Sequence, residues 1–508
     1  MNETLDRGGF APFGVAQELL PRLAVLDSEG EHSYNELDAV AATVAARLLE
    51  GRGDLQEERV ALAVLPGFPY AAAQWGVWRA GGIVVPLAPQ HPEPEWEHVL
   101  RDSGASRIIC DAVLRPRLEP LAERMGLSLL DWKEVVSGDL PQEPAPRVAL
   151  ERRAMILYTS GTTGRPKGVV LTHRNVAAQV ASLVQAWEWT PEDRILHVLP
   201  LHHIHGIVNA LCCPLWAGAS VQFLPRFDPF AVWEAFASGE ITLFMGVPTM
   251  YSRLIAAWEG TDPETQQRWR EGARRLRLFV SGSAALPVPV FERWEEVTGH
   301  RILERYGMTE IGMALSNPLR GERVPGTVGY PLPGVRVRLR NEAGTLSAPG
   351  EPGEIEVCGP TVFREYWNRP EETRAAFREG WFCTGDLAVQ EGGRYRILGR
   401  LSTDIIKVGG YKVSALEIEH VLKAHPAVEE CAVLGIPDPV WGERIAAAVV
   451  LRAGVAVSPR ELRAWCRGRL ASYKTPSRWA LVKTLPKNAM GKTMKPALRP
   501  LFQSEGER

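Results

Sequence analysis

The stretch Tyr158-Thr159-Ser160-Gly161-Thr162-Thr163-Gly164-Arg165-Pro166-Lys167-Gly168 constrains this chain more than any other. Apolar runs at 154–157 and 169–171 flank it, each short enough for a strand, so the pattern reads strand, loop, strand. Gly161, Gly164 and Gly168 permit backbone conformations in which amide hydrogens converge on an anion. The hydroxyls of Thr159, Ser160, Thr162 and Thr163 add donors, and Lys167 adds charge. Such a loop suits a polyphosphate. It is not a Walker A loop, because no Lys-Ser/Thr pair opens a helix. An ordinary surface turn would share the residue types but not this density of donors.

Through the first 300 or so residues, short β-rich runs alternate with amphipathic stretches, the pattern of βαβ units around largely parallel sheets. Thr172 can cap a helix in which Val176, Val180, Leu183, Val184 and Trp187 recur at helical spacing. From about Thr327 the texture changes to alternating strands with Pro and Gly turns, as at 335–339 and 354–357. After Arg400 a short α+β segment begins, entered through Leu401-Ser402-Thr403-Asp404. The expected fold class is α/β. A large N-terminal domain of βαβ-type sheets (1–400) includes a small β-rich subdomain (about 327–400), and a small mobile α+β C-terminal domain (401–508) follows. At 508 residues, several folding units are required.

A formal charge of -2 gives no bulk attraction to nucleic acid or to an anionic membrane, so the expected partner is a small molecule. The seven cysteines are scattered, with no spacing that suits a disulfide framework or a zinc site. Residues 1–10 carry Glu3 and Asp6 and no apolar core, and apolar stretches elsewhere are too short to span a membrane. These features lead to the expectation of a cytoplasmic protein.

In order along nearly the whole chain, the sequence resembles the superfamily of acyl-CoA synthetases, luciferases and peptide-synthetase adenylation domains. The motifs that carry the resemblance are the phosphate loop, Tyr306-Gly307-Met308-Thr309-Glu310, Thr384-Gly385-Asp386, Gly399-Arg400 with Asp404, and Gly491-Lys492. The resemblance implies ATP, Mg2+ and coenzyme A as reactants or cofactors. Its reaction brings a carboxylate to the α-phosphorus of ATP, so negative charge must be spread and neutralised. It implies that Glu310 and Thr162 hold the magnesium, that Thr309 bonds the α-phosphate, and that Asp386 accepts from the ribose hydroxyls. Tyr306 then lies along the adenine, with Ser283, Glu304, Arg305 and Arg400 also at the nucleotide. Lys492 is implied as the main catalytic cation. Ser402 or Thr403 takes the hinge torsion, in a turn one residue longer than in many relatives. Gly409, Gly410, Tyr411 and Lys412 face the site of thioester formation.

A finer resemblance is to malonyl-CoA and methylmalonyl-CoA synthetases, including the mitochondrial form. It rests on Pro200-Leu201-His202-His203-Ile204-His205-Gly206, on 276–283, on 304–313 and on Phe363-Arg364-Glu365-Tyr366-Trp367. It implies that His203, Thr249, Ser281 and Met313 line the acid pocket, with His203 also placed in the catalytic set. The residues add an argument about Arg277. Leu276, Leu278 and Val280 alternate with Arg277 and Phe279 along a run that reads as a buried parallel strand, where an unpaired guanidinium is costly. The distal carboxylate of malonate or methylmalonate would satisfy it through two parallel hydrogen bonds. Against this, Arg277 could start the strand at the surface beside Arg274 and Arg275, or pair with a structural acid. His202, His203 and His205 do not read as a zinc site, since no Cys or carboxylate lies at a complementary spacing. Phe227-Asp228-Pro229-Phe230 resembles the amino-group segment of peptide-synthetase domains but stands in the wrong place for it. Two other functions compete with malonate activation. One is an acyl-CoA synthetase or adenylation enzyme for monocarboxylic, fatty or aryl acids, and the other is a nucleotide-binding module without turnover.

Overall fold

The computed structural model describes residues 17–137, 146–159, 166–408, 411–438, 440–487 and 493–502. Four sheets form among them. The largest has nine strands, and six of these run parallel: Leu303–Met308, Leu278–Ser281, Leu243–Gly246, Arg194–His197, Ser220–Phe223 and Leu23–Asp27. A seven-stranded sheet has a parallel part of Arg153–Thr159, Ile83–Pro86, Arg59–Ala63, Arg107–Cys110 and Ser128–Asp131. Two antiparallel strands, Lys167–Thr172 and Glu365–Tyr366, extend its edge.

The change of texture near Thr327 corresponds to an antiparallel sheet whose last strand is Arg394–Arg400. The next strand, Ile405–Val408, belongs to a different sheet with Tyr411–Ser414, Gly442–Leu451, Val428–Asp438 and Arg478–Leu481. That sheet packs its own helix, Ala415–Lys423, over a separate apolar cluster.

Local chemistry sets the helix starts. Thr172 Oγ1 accepts the Asn175 N–H while Asn175 Oδ1 accepts the Thr172 N–H, a reciprocal cap that opens His173–Ala186. Asp228 likewise accepts the Ala231 N–H at 2.9 Å and opens Pro229–Ala237, so it serves as a helix cap. On one side of the nine-stranded sheet an aromatic cluster gathers Trp233, Trp269, Trp294, Phe236, Phe279 and Tyr251. The Trp233 and Trp269 rings stack at 5.7 Å. Such pairs add about 0.5–1.5 kcal/mol beyond area burial.

Arg277 departs from its expected role. The strand starts one residue later, at Leu278, and Arg277 sits at its N-terminal threshold, with its backbone N–H donating to Thr242 O. Its Nε and Nη2 donate to the two oxygens of Asp193 at 2.7 Å each, and Nη1 donates to Trp187 O at 2.9 Å. Asp193 is almost fully buried just before Arg194–His197, two strands away across Leu243–Gly246, and also accepts from Thr242 Oγ1 and the Thr190 N–H. The guanidinium is therefore satisfied by a structural acid, at the end of the sheet opposite the one where α/β sheets bind ligands.

Burial also keeps five histidines neutral. His173 is pushed down to about 3, His197 and His203 to about 4, His202 to about 2, and His205 well below its ordinary value. Unfolded, these rings take up protons below about pH 6.5, whereas the folded chain holds them neutral to lower pH. Stability is therefore unaffected by them above pH 6.5 and is lost as pH falls from there toward 4, by about 1.4 kcal/mol per pH unit for each ring.

Two outcomes follow. Replacing Arg277 by Ala leaves the Asp193 carboxylate buried without its cation and should lower stability by about 2–3 kcal/mol, less than a fully buried pair because Arg277 is partly exposed. A shifted urea midpoint would show this, accompanied by equal activity changes toward every acid tested. Acid unfolding followed by tryptophan fluorescence should have its midpoint above pH 5, and a midpoint below pH 4 would contradict the neutral, buried histidines.

Candidate active site

Two strand ends frame the phosphate loop. Thr159 closes Arg153–Thr159 and Lys167 opens Lys167–Thr172, and the two residues face each other in antiparallel register. The loop is therefore a hairpin connection with its ends fixed; Ser160, Gly161, Thr162, Thr163 and Gly164 lie outside the described residues. Lys167 forms an ion pair with Glu372, and its Nζ lies 5.4 Å from the Tyr366 ring centroid.

Beside it, Leu303–Met308 and Gly312–Ser316 form a hairpin whose tight turn is Thr309-Glu310-Ile311, closed by the Ile311 N–H on Met308 O. Gly307 is required here, because a Cβ would meet Gly312 O at 2.2 Å. The turn buries the Glu310 carboxylate, and burial raises its pKa above the ordinary carboxylate range. Glu310 Oε1 accepts the Tyr366 hydroxyl at 3.0 Å, and among the described residues no cation lies within ion-pair distance of it. A buried acid with that vacancy in its charge balance fits a hard cation shared with nucleotide phosphates.

Tyr306 donates its hydroxyl to Asp386 Oδ2 at 2.6 Å, so the residues expected at adenine and ribose are already joined. Arg400 lies nearby, with Nε 3.7 Å from Asp386 Oδ1 and Nη2 donating to Thr384 O. Ser283 has φ of +70° in the loop after Leu278–Ser281. That loop is tied down by the Leu286 N–H on Glu304 Oε1 at 3.1 Å. Glu304 is fully buried, and burial pushes its carboxyl up to about 8. It thus supports the loop from behind, and its other oxygen, Oε2, has no hydrogen-bond partner among the described residues.

Arg305 is the unexpected member. It lies within Leu303–Met308 almost completely buried, and its Nε and Nη2 have no hydrogen-bond partner among the described residues. Burial pushes the guanidinium down to about 9. The group lies over Gly282, where a Cβ would come within 2.3 Å of Arg305 Cζ. Ser281, fully buried at the end of its strand, has an unpartnered Oγ. His203 Nε2 and both ring nitrogens of His205 are also unpartnered. His205 is held neutral by burial first and then by the Arg305 charge. His205 opens the π-helix His205–Cys212, an uncommon element often found at functional sites.

The other expected pocket residues are spread more widely. Thr249 is exposed in the first turn of Pro248–Glu259, the helix that follows Leu243–Gly246. Met313 is buried against Gly307, with its N–H donated to Gln179 Oε1. Arg277 is remote in role, paired with Asp193. Arg305, not Arg277, is the arginine of this sheet whose guanidinium has unpartnered nitrogens among the described residues. The signal was present in the sequence as an arginine within the apolar-flanked run 302–306. Tyr366, quoted only as part of a matching segment, is the polar contact that had no role assigned to it.

At the junction of the sheets, the turn 401–404 folds back on Arg400. The Thr403 and Asp404 N–H groups donate to Arg400 O, and Asp404 Oδ2 accepts the Arg400 N–H. Asp404 also pairs with Lys495, which pairs in turn with Glu419. Ser402 is exposed and Thr403 half-buried. Gly409, Gly410 and Lys492 lie outside the described residues, as do the side chains of Tyr411 and Lys412, whose backbone forms the strand Tyr411–Ser414.

Residues 15–367 match the family model of the AMP-binding enzyme, and 417–492 match that of the AMP-binding enzyme C-terminal domain. The mitochondrial malonate–CoA ligase ACSF3 of Mus musculus is 49% identical over 522 residues, covering 96% of this chain and 90% of the relative. Among solved structures, ATP-bound MatB from Rhodopseudomonas palustris superposes with a TM-score of 0.89 at 36% identity, covering 97% of this chain and 98% of that one. A malonyl-CoA ligase ternary product complex with methylmalonyl-CoA and AMP bound gives a TM-score of 0.69 at 38% identity, covering 94% and 99%. With both family models matched and nearly half its residues shared with a relative over almost full length, the chain belongs to the AMP-binding enzyme family.

Proposed function

We propose that this protein is an ATP-dependent malonate–CoA ligase. The observation that carries the reading is the buried, anion-free guanidinium of Arg305, with the unpartnered Ser281 and His203 groups. A guanidinium held in low dielectric without a counter-ion favours a ligand that brings one. A short dicarboxylic acid does so with its distal carboxylate, through two parallel charge-assisted hydrogen bonds, and presents its other carboxylate for reaction. A fatty acyl chain offers nothing to this group. The relatives named for malonate and methylmalonyl-CoA support the same substrate class.

In the first half-reaction a substrate carboxylate oxygen attacks the α-phosphorus of ATP and pyrophosphate leaves. In the second the coenzyme A sulfur attacks the acyl carbon and AMP leaves. Arg305 orients the acid, which turns the first encounter into a positioned one. Tyr306 and Asp386 hold the nucleoside. Thr309 donates to the α-phosphate, and Lys492 meets the charge that develops there. Glu310 would hold a magnesium ion, which when bound neutralises phosphate charge. The seven cysteines are free thiols, which suits a reducing compartment such as the cytoplasm. No helix of the described residues is long and apolar enough to cross a membrane.

The test is coenzyme A thioester formation across malonate, methylmalonate, succinate, acetate and octanoate. Malonate and methylmalonate should lead, the two differing by about 1–3 kcal/mol at most because one methyl separates them. A preference for acetate or octanoate would overturn the substrate. Arg305→Leu should reduce kcat/KM for malonate by about 100-fold or more while changing acetate turnover by less than about 5-fold. Equal losses with both acids would remove Arg305 from substrate recognition.

A further inference from the structure

Tyr366 joins three parts of the site that come from distant segments. Its strand, Glu365–Tyr366, pairs antiparallel with Lys167–Thr172, the strand that leaves the phosphate loop. Its backbone N–H donates to Thr373 Oγ1 at 2.9 Å, and the Phe363 N–H, three residues back, donates to Glu310 O at 2.7 Å. Its hydroxyl donates to Glu310 Oε1 at 3.0 Å, and its ring faces the Lys167 ammonium. One side chain thus touches both the buried acid of the adenylate turn and the lysine of the phosphate loop.

We propose that Tyr366 is a positioning residue that fixes the plane of the Glu310 carboxylate for the divalent cation carried by the nucleotide. The proposal rests on the assignment of Glu310 to that cation. A phenol suits the task because it donates one hydrogen bond and brings no positive charge. An arginine or lysine at the same place would neutralise the carboxylate and compete with the metal. Glu310 is buried, and the Tyr366 hydroxyl both satisfies one oxygen and removes the torsional freedom of the side chain. The anchored backbone on either side, through Phe363 and the strand pairing, keeps the phenol from following the carboxylate if it turns.

The experiment measures ATP affinity of the full-length enzyme by equilibrium dialysis, without acid substrate, in metal-free buffer and with Mn2+, and counts bound Mn2+ by electron paramagnetic resonance. Tyr366→Phe keeps the ring beside Lys167 and removes only the hydroxyl. The expected result is a loss of about 10-fold in the tightening that Mn2+ confers on ATP, with metal-free ATP affinity unchanged. An unchanged Mn2+ effect, or an equal weakening with and without metal, would overturn the proposal. Glu310→Gln should abolish the Mn2+ effect, and if it does not, Glu310 is not the metal-holding acid and the proposal falls with it. The acid panel is read independently, so an altered substrate preference leaves this result standing.

Discussion

Strand direction is the constraint on which the rest depends. A parallel sheet covered on both faces satisfies its backbone internally and leaves irregular polar structure only at its two ends. In the nine-stranded sheet those ends have opposite uses. At the N-terminal end Arg277, Asp193 and Thr242 tie three strand starts together with a closed set of hydrogen bonds. At the C-terminal end lie Ser281, the 283–286 loop, the Thr309-Glu310 turn and the π-helix from His205, with several of their polar groups unpartnered. One end is closed by the fold's own hydrogen bonds, and the other keeps polar groups unpartnered among the described residues, where the proposed site lies.

The charges at the ligand end are arranged to be incomplete. Burial weakens the ionised form of each group, and the protein supplies only part of what each one needs. Among the described residues Arg305 has no counter-ion and Glu310 has a phenol in place of a cation, and His205, next to the guanidinium, is kept neutral by burial. Under the proposed function, a dicarboxylic acid would bring the charge that Arg305 lacks and a metal ion the charge that Glu310 lacks, so that binding and charge compensation would be the same event.

The second sheet brings its contribution through long-range pairing. Glu365–Tyr366 lies almost 200 residues beyond Lys167–Thr172 in sequence, yet the two are adjacent strands. That pairing puts Tyr366 beside both Lys167 and Glu310. At the opposite boundary, Asp404 receives the Arg400 N–H and the Lys495 ammonium, so the chain's exit from the β-rich sheet is held by a residue close to the C-terminus. This turn closes on Arg400 O.

The sequence alone determined the elements whose causes are local. The Thr172 cap, the strand-loop-strand pattern around the phosphate loop, the shift to β structure near Thr327 and the order of nucleotide motifs all follow from short-range spacing. The family follows from that order. Tertiary structure decided which arginine is already paired within the fold. Arg277 directly precedes the apolar strand Leu278–Ser281 and Arg305 lies within Leu303–Met308, and desolvation is costly for a guanidinium at either place. Only the fold shows that Asp193, 84 residues away, already satisfies Arg277, while Arg305 lies over Gly282 with no ion-pair partner among the described residues. The contact between Tyr366 and Glu310 was hidden for the same reason. A hydrogen bond between residues 56 apart leaves no periodic trace in the chain, because it depends on how two sheets are placed side by side.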